Sequence, residues 1–361
     1  MNIAKRLGFL FAFVVPALMP AAALMADNGW LPSDLAAWFP LVFLFVLLPL
    51  ADFALGHDSV NPDAAEAAAL DRDLWFRGLT LACVPVQIAL LAWSGYYFAH
   101  AEFGAVGLLG WLLSQGVVSS VLAINVAHEL IHKDNRLEQW AGGVLLTSVG
   151  YHGFKVEHVR GHHVHVSTPE DASSAHLDQS LWHFLPRALL RNSRNAWRLE
   201  ALRLSKLGHG AFHWRNELIA WSVLWLLGIG LFGWLLGSVG VIFFVAQGLF
   251  AATSLEIINY IEHYGLERKK LPNGRYERTT HLHSWNSDFR LSNLLLFQLQ
   301  RHSDHHETPR RRYQALLHHA DSPQLPGGYA SMFILAMFPP LWKRLVNPRV
   351  AQFRERTHAI S

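Results

Sequence analysis

Nine histidines fall into four short clusters, each at or just beyond the end of a hydrophobic stretch. They are His128-Glu-Leu-Ile-His132, His158-Val-Arg-Gly-His162-His163, His263 in Asn-Tyr-Ile-Glu-His-Tyr, and His302-Ser-Asp-His305-His306. Imidazole is the commonest side-chain metal ligand. Nine are too many for one ion and suit two. A spacing of four puts His128 and His132 on one helix face, so both can ligate one ion. His158 and His162 repeat that spacing, and His163 adds a ligand about 100° further round. His302 with His305 and His306 combines spacings of four and three on a single face. One histidine near an apolar helix end is usually structural; three multi-histidine clusters at helical spacing are not explained that way. Among the other thirteen histidines, His152, His165, His281 and His283 are the candidates to support the ligands from outside.

The first cluster also matches the His-Glu-x-x-His pattern of zinc metalloproteases. A catalytic zinc takes three protein ligands and an open position, which would leave most of the clustered histidines without a purpose. Imidazole suits zinc, copper, iron and nickel alike, so spacing gives two histidine-rich metal sites and does not name the metal. Acids accompany the clusters: Glu129, Glu157, Glu262 and Asp304, with Asp171 in Thr168-Pro-Glu-Asp171 as a further candidate. Metal-bound imidazoles usually donate their second N–H to a carboxylate or carbonyl. These acids are therefore candidates to orient ligands or to bridge two ions. The competing reading is charge balance with Lys133, Arg160 or Arg301.

The elements that must position these groups are membrane helices. The 361 residues are 52% hydrophobic and only 16% charged, and a helical span needs roughly 20 apolar residues. Six apolar runs qualify, at about 7–26, 38–56, 77–98, 104–127, 217–237 and 239–260. Two polar segments, 128–216 and 264–361, carry the histidines. Of 30 Lys and Arg, eleven lie in the first polar segment and fifteen in the second. Cytoplasmic segments carry the Lys/Arg excess, so both termini and all four clusters are expected on the cytoplasmic side. The pI near 9.0 follows from this topology and is not a sign of nucleic-acid binding. Arg310-Arg311-Arg312 reads as a membrane-surface anchor or a patch for an acidic partner. Lys5-Arg6 before an apolar run imitates a signal peptide, but a signal h-region is shorter. The single cysteine, Cys83, excludes an internal disulfide and any Cys-x-x-Cys site. The expected architecture is an all-α integral membrane protein, one domain over 1–361, with six transmembrane helices and a cytoplasmic histidine-rich cap. A transporter is disfavoured, because mid-span polar residues are few (Gln87, Gln115, Gln247). Segment 178–206, with Arg187, Arg191, Arg194, Arg198 and Arg203 among apolar residues, predicts a helix on the membrane surface. Segment 290–307 predicts a helix carrying the last cluster, and Tyr329–Trp342 a re-entrant or interfacial element.

The strings around the clusters carry a resemblance. His-x3-His, His-x3-His-His and His-x2-His-His, in this order, are similar to the membrane di-iron superfamily of fatty-acid desaturases and hydroxylases. Asn125-Val-Ala-His-Glu-Leu-Ile-His-Lys133, Glu157-His-Val-Arg-Gly-His-His163, Asn259-Tyr-Ile-Glu-His-Tyr-Gly-Leu266 and Leu299-Gln-Arg-His-Ser-Asp-His-His306 resemble the integral-membrane alkane 1-monooxygenases. The box around His263 is the part characteristic of that branch. Asp171-Ala-Ser-Ser-Ala175 departs from it, where a proline is expected after the aspartate. The resemblance implies two irons (a non-haem di-iron centre) in the cap, with His128, His132, His158, His162, His163, His263, His302, His305 and His306 as ligands. It implies O2-dependent hydroxylation of the terminal methyl of medium- or long-chain n-alkanes in the bacterial inner membrane. Electrons would come from rubredoxin, itself reduced by a rubredoxin reductase at the expense of NAD(P)H. No fused rubredoxin module is expected, since its cysteines are missing. The nearest alternative is a related desaturase or hydroxylase acting on fatty acyl or alkyl-aromatic substrates. Terminal selectivity calls for a narrow apolar channel, for which Leu44, Leu48 and Leu122 are candidates against plain lipid contact or helix packing.

Overall fold

The computed structural model describes Met1 and residues 3–360. In chain order the helices that matter to the site are α1 (Ile3–Asp27), α2 (Ser33–Leu55), α3 (Leu74–His100), α4 (Ala105–Ile131), α5 (Arg136–Ser148), α6 (Leu181–Ser205), α7 (Glu217–His263), α8 (Arg290–Leu295), α9 (His302–Glu307), α10 (Tyr329–Ala336) and α11 (Pro339–Ile360). Among the described residues there is no β-strand, only three isolated bridges.

Five helices, α1 to α4 and α7, are long and apolar enough to cross a bilayer. They contain the six apolar runs of the sequence, because α7 holds the last two. At Gly237 its backbone leaves the helix with φ 65° and ψ −155°, a left-handed conformation that glycine adopts without a Cβ penalty. The chain then folds back on itself. Phe232 and Phe244 rings meet at 4.8 Å, although twelve residues of straight helix would separate them by about 18 Å. Large apolar side chains on these helices point outward: Leu50, Phe53, Leu227, Leu231, Trp234 and Leu249 are all exposed. Contiguous apolar surface of this kind needs a non-aqueous partner, and a lipid bilayer supplies it.

Two of the three mid-span glutamines knit helices together. Gln87 on α3 donates to Ser119 on α4 (3.2 Å) and to Ser148 on α5 (3.3 Å). Gln247 on α7 donates to the Ser148 carbonyl at 3.1 Å. Buried polar groups need such partners.

Helix starts follow local caps. Asp73 accepts from Trp75 N–H ahead of α3, Asn135 caps α5, Ser180 caps α6 and Asn216 caps α7; each offers a side-chain oxygen to an otherwise orphaned amide. Pro186 lies inside α6 as its sixth residue, where it removes the amide that would bond to the Trp182 carbonyl. The expected single helix over 290–307 is in fact two, α8 and α9. Between them Phe297 and Gln298 adopt φ 52° and 56°. Asp52 on α2 caps the start of α8, accepting from the amides of Leu291 and Ser292, both at 3.0 Å, and at the bend Gln298 Nε2 donates to the Tyr313 carbonyl at 2.9 Å. The apolar segment after 328 forms α10 and runs on into α11. Of the arginine triplet, Arg311 pairs with Asp304 and Arg312 with Glu138, while Arg310 is largely exposed near Asp134. Two of its three charges are therefore spent inside the fold.

Candidate metal centre

All nine clustered histidines converge at the ends of α4 and α7. His128 comes from the last turn of α4 and His132 follows it directly. His263 is the last residue of α7, and His302, His305 and His306 lie on α9. His158, His162 and His163 sit on a short helical segment over 154–165 that widens into a π-turn at His158–His162. Such turns are frequent at functional sites.

The side chains separate into two groups. His128, His132, His158, His163 and His305 form one; His162, His263, His302 and His306 form the other. Within each, the nitrogens lie within 4.8 Å of one another. His163 Nε2 is 3.0 Å from His158 Nε2 and 3.2 Å from His305 Nε2. His306 Nε2 is 3.0 Å from His302 Nε2 and 3.3 Å from His162 Nε2. These are the edge lengths of a coordination shell with metal–nitrogen bonds of about 2.1 Å. The buried Nε2 atoms of His128, His132 and His263 have no hydrogen-bond partner at all. Buried polar atoms are rarely left so, and a metal ion would satisfy them. The donor set therefore fits two metal ions.

The division differs from the one the spacing suggests. On a regular helix His158 and His162 would share a face. Here the wide turn pairs His158 with His163, their rings 4.6 Å apart, and sends His162 to the second group. Helix α9 likewise splits its three histidines, His305 to the first group and His302 with His306 to the second.

Of the five candidate acids, two touch the nine imidazoles. His162 Nδ1 donates to Asp171 Oδ2 at 3.0 Å, and Asp171 also accepts from Ser174 Oγ at 2.6 Å. Burial alone would raise the Asp171 carboxyl; the His162 imidazole beside it outweighs that and holds it at about 2. Glu262 Oε2 lies 3.1 Å from His302 Nε2, and its other oxygen accepts from Tyr329 Oη at 2.7 Å. The remaining three have other partners. Glu129 pairs with Lys133 at 2.9 Å and accepts from the Tyr313 amide. Asp304 is gripped by Arg311 and accepts from His319 at 2.9 Å. Glu157 packs against Gly161, and burial together with the Asp171 carboxylate pushes it up to about 8. The outer histidines also bind elsewhere: His152 to Ser222, His283 to Glu277, His281 to Glu307 and Asp321, while Thr168 Oγ1 donates to the carbonyl of His165. Ser284, which sequence reasoning passed over, is 3.2 Å from His263 Nδ1. Only its place next to His283 hinted at it.

Beside the centre lies an apolar cavity between α2, α4, α7, α8 and α10. Leu44, Leu48, Val117, Val121, Leu255 and Phe333 are among its walls. Leu44 and Leu48 thus face it, whereas Leu122 packs in the core and its neighbour Val121 takes the lining position. Asn125 and Leu299 border both this cavity and a much smaller gap that reaches His128 and His305.

Residues 103–336 match the fatty acid desaturase family model. The chain is 56% identical to alkane 1-monooxygenase 2 of Pseudomonas aeruginosa, covering 90% of this chain and 85% of that protein. It is 49% identical to alkane 1-monooxygenase 2 of Alcanivorax borkumensis, over 97% of this chain and 92% of the relative. It is 27% identical to the xylene/toluene monooxygenase hydroxylase component of Pseudomonas putida, over 68% of this chain and 66% of that one.

Proposed function

This chain belongs to the fatty acid desaturase family and, within it, to the alkane 1-monooxygenases, and on that premise we propose how its residues serve the oxidation of n-alkanes to 1-alkanols. The five-histidine group holds one iron and the four-histidine group the other. The convergence of nine imidazoles on two points beside an apolar cavity is the observation that carries this reading. Two irons bound there would supply reduction of O2 and insertion of one of its atoms into a C–H bond, the other leaving as water.

The protein's own residues do the rest. An alkane offers no polar handle, so the walls around Leu44, Leu48, Val117 and Val121 bind it by excluding water. A narrow cavity admits the chain end-on and brings a terminal methyl past Asn125 and Leu299 towards His128 and His305. Asp171 fixes the His162 tautomer by accepting a hydrogen bond from its Nδ1–H, which aims Nε2 at the second iron. Ser284 orients His263 in the same way. Glu262, held by Tyr329, borders the four-histidine group, and Tyr329 is also part of the cavity wall.

The finer topology follows the same proposal. The Gly237 turn makes α7 two crossings, six in all, in the bacterial inner membrane. Both termini and the metal centre then face the cytoplasm, an orientation that the concentration of Lys and Arg in 128–216 and 264–361 supports. That side gives a soluble electron donor access, and rubredoxin, reduced by an NAD(P)H-dependent reductase, is the donor proposed. The test is reconstitution of purified protein with iron, reduced rubredoxin and a series from n-octane to n-hexadecane. The expected product is the 1-alkanol. Alkene as the product, or no 1-alkanol from any alkane, would overturn the reading.

A further inference from the structure

Outside the two histidine groups, a third set of ligand atoms comes together at the edge of the cap. His281, Glu307 and His319 each turn one atom into a space where all three lie within 4.8 Å of one another. His281 Nδ1 is 3.0 Å, and His319 Nε2 3.9 Å, from the same oxygen, Glu307 Oε2. The two imidazoles stack nearly parallel, 8° apart with centroids at 4.3 Å. The edges of a tetrahedral zinc shell with bonds of 2.0–2.1 Å are about 3.3 Å, so small side-chain shifts would seat an ion. The far nitrogen of His281, Nε2, is held by Asp321 Oδ2 at 3.0 Å. A carboxylate behind an imidazole is the arrangement that orients and strengthens a metal-binding histidine. Asp304 Oδ1 accepts from His319 Nε2 at 2.9 Å. It would give up that bond when the nitrogen loses its proton to bind the ion, and it then adds negative charge, although Arg311 offsets part of it. All three side chains are partly exposed, at 22%, 33% and 21%, so an ion can enter from solvent.

We propose that His281, Glu307 and His319 form a third metal site, separate from the two histidine groups, that takes a borderline divalent transition cation such as zinc. Two imidazoles and one carboxylate suit zinc, and three protein ligands leave one position for water. An ion there ties together three separate stretches of chain, at His281, at the end of α9 and at His319. Glu307 directly follows His306, so the clamp sits against the four-histidine group.

The experiment uses protein already loaded with iron. It is equilibrated with zinc, freed of excess, and both metals are counted by elemental analysis. One zinc per chain is expected with the iron content unchanged. His281→Ala and His319→Ala should each weaken zinc binding at least about tenfold, and Asp321→Asn, a conservative change at an exposed carboxylate, should weaken it less. A His209→Ala/His213→Ala double variant removes another stacked surface pair, with centroids 3.9 Å apart, and should bind zinc like the unaltered protein. Retained iron and alkane hydroxylation report that each variant is folded. No zinc beyond the iron, zinc that persists in the His281→Ala/His319→Ala double variant, or zinc lost only in the His209→Ala/His213→Ala variant, overturns the proposal. In those cases His281 is an ion-pair clamp between Glu307 and Asp321 and no more.

Discussion

Asp171 Oδ2 accepts a hydrogen bond from His162 Nδ1 at 3.0 Å, with both side chains buried. The bond leaves Nε2 of His162 free to face His306 and the rest of the four-histidine group. Asn in place of Asp171 keeps the shape and an acceptor oxygen but loses the charge. Removing such a partner typically costs 10–100-fold in metal affinity or activity. Asp171→Asn is therefore expected to release iron about tenfold more readily to a chelator, and Asp171→Ala more readily still. Iron retention equal to the unaltered protein in both variants would show that Asp171 does not support a ligand.

The unequal division of the nine histidines makes a directional prediction. Removing His132 leaves four imidazoles in its group, whereas removing His263 leaves three. His263→Ala should therefore lose about half the bound iron and essentially all hydroxylation, since one site falls below the four ligands of a closed shell. His132→Ala should retain more iron than His263→Ala when both are counted side by side. Equal, full iron content and full 1-alkanol formation in His263→Ala would remove it from the ligand set.

The site was readable from sequence to the level of which histidines meet, because spacings of three and four on helices fix a shared direction. Their assignment to two groups was not readable. It depends on the π-turn over His158–His162 and on the left-handed bend at Phe297 and Gln298, both held by contacts with distant parts of the chain. The acids show the same limit. Glu129 and Asp304 sit beside ligands in sequence, yet Lys133, Arg311 and His319 claim them in space. Asp171 lies eight residues beyond His163 and still reaches a ligand, through a loop whose course local pattern does not specify. The membrane helices were the most legible part, since long apolar runs need no tertiary information. The Gly237 turn was legible too, because glycine at a junction of two apolar runs has a stated conformational reason.

Cavity shape should set substrate length. Val117 lines the apolar cavity on α4, and Asn125, at the end towards the metal centre, is eight residues further along the same helix. That is about 12 Å of helix, which places Val117 towards the far end of the bound chain. Val117→Phe should block that end while leaving the region near His128 open. Hydroxylation of n-hexadecane is expected to fall about tenfold relative to n-octane, the order of effect of a few methylenes displaced from a pocket. Iron content should stay unchanged. A chain-length profile identical to that of the unaltered enzyme would mean the alkane does not extend past Val117.

Stripping the metals should make the protein acid-sensitive. Burial, helped by repulsion among neighbouring imidazoles, holds His132, His158, His163, His302, His305 and His306 well below the usual imidazole range. In the unfolded chain the same groups titrate near 6.5. Below that value the unfolded state binds more protons than the folded one, so stability falls as pH falls. His162 acts in the opposite sense. Burial opposes its charged form, but Asp171 outweighs burial and raises it, so it contributes stability below about 6.5 that is lost as pH rises through its folded value. Glu157, which burial pushes up to about 8, acts in the same sense as His162. These two groups against the six lowered imidazoles leave the net slope in the direction of acid loss. Metal ligands must be neutral to bind, and bound metal stabilises the folded state against protonation. The apparent Tm of chelator-stripped protein in detergent is therefore expected to drop between about pH 7 and pH 5, and that of iron-loaded protein to drop less over the same range. A stripped protein whose Tm is flat across that interval would place these imidazoles in contact with water rather than in a dry centre, and would remove the physical basis for reading their orphaned nitrogens as metal ligands.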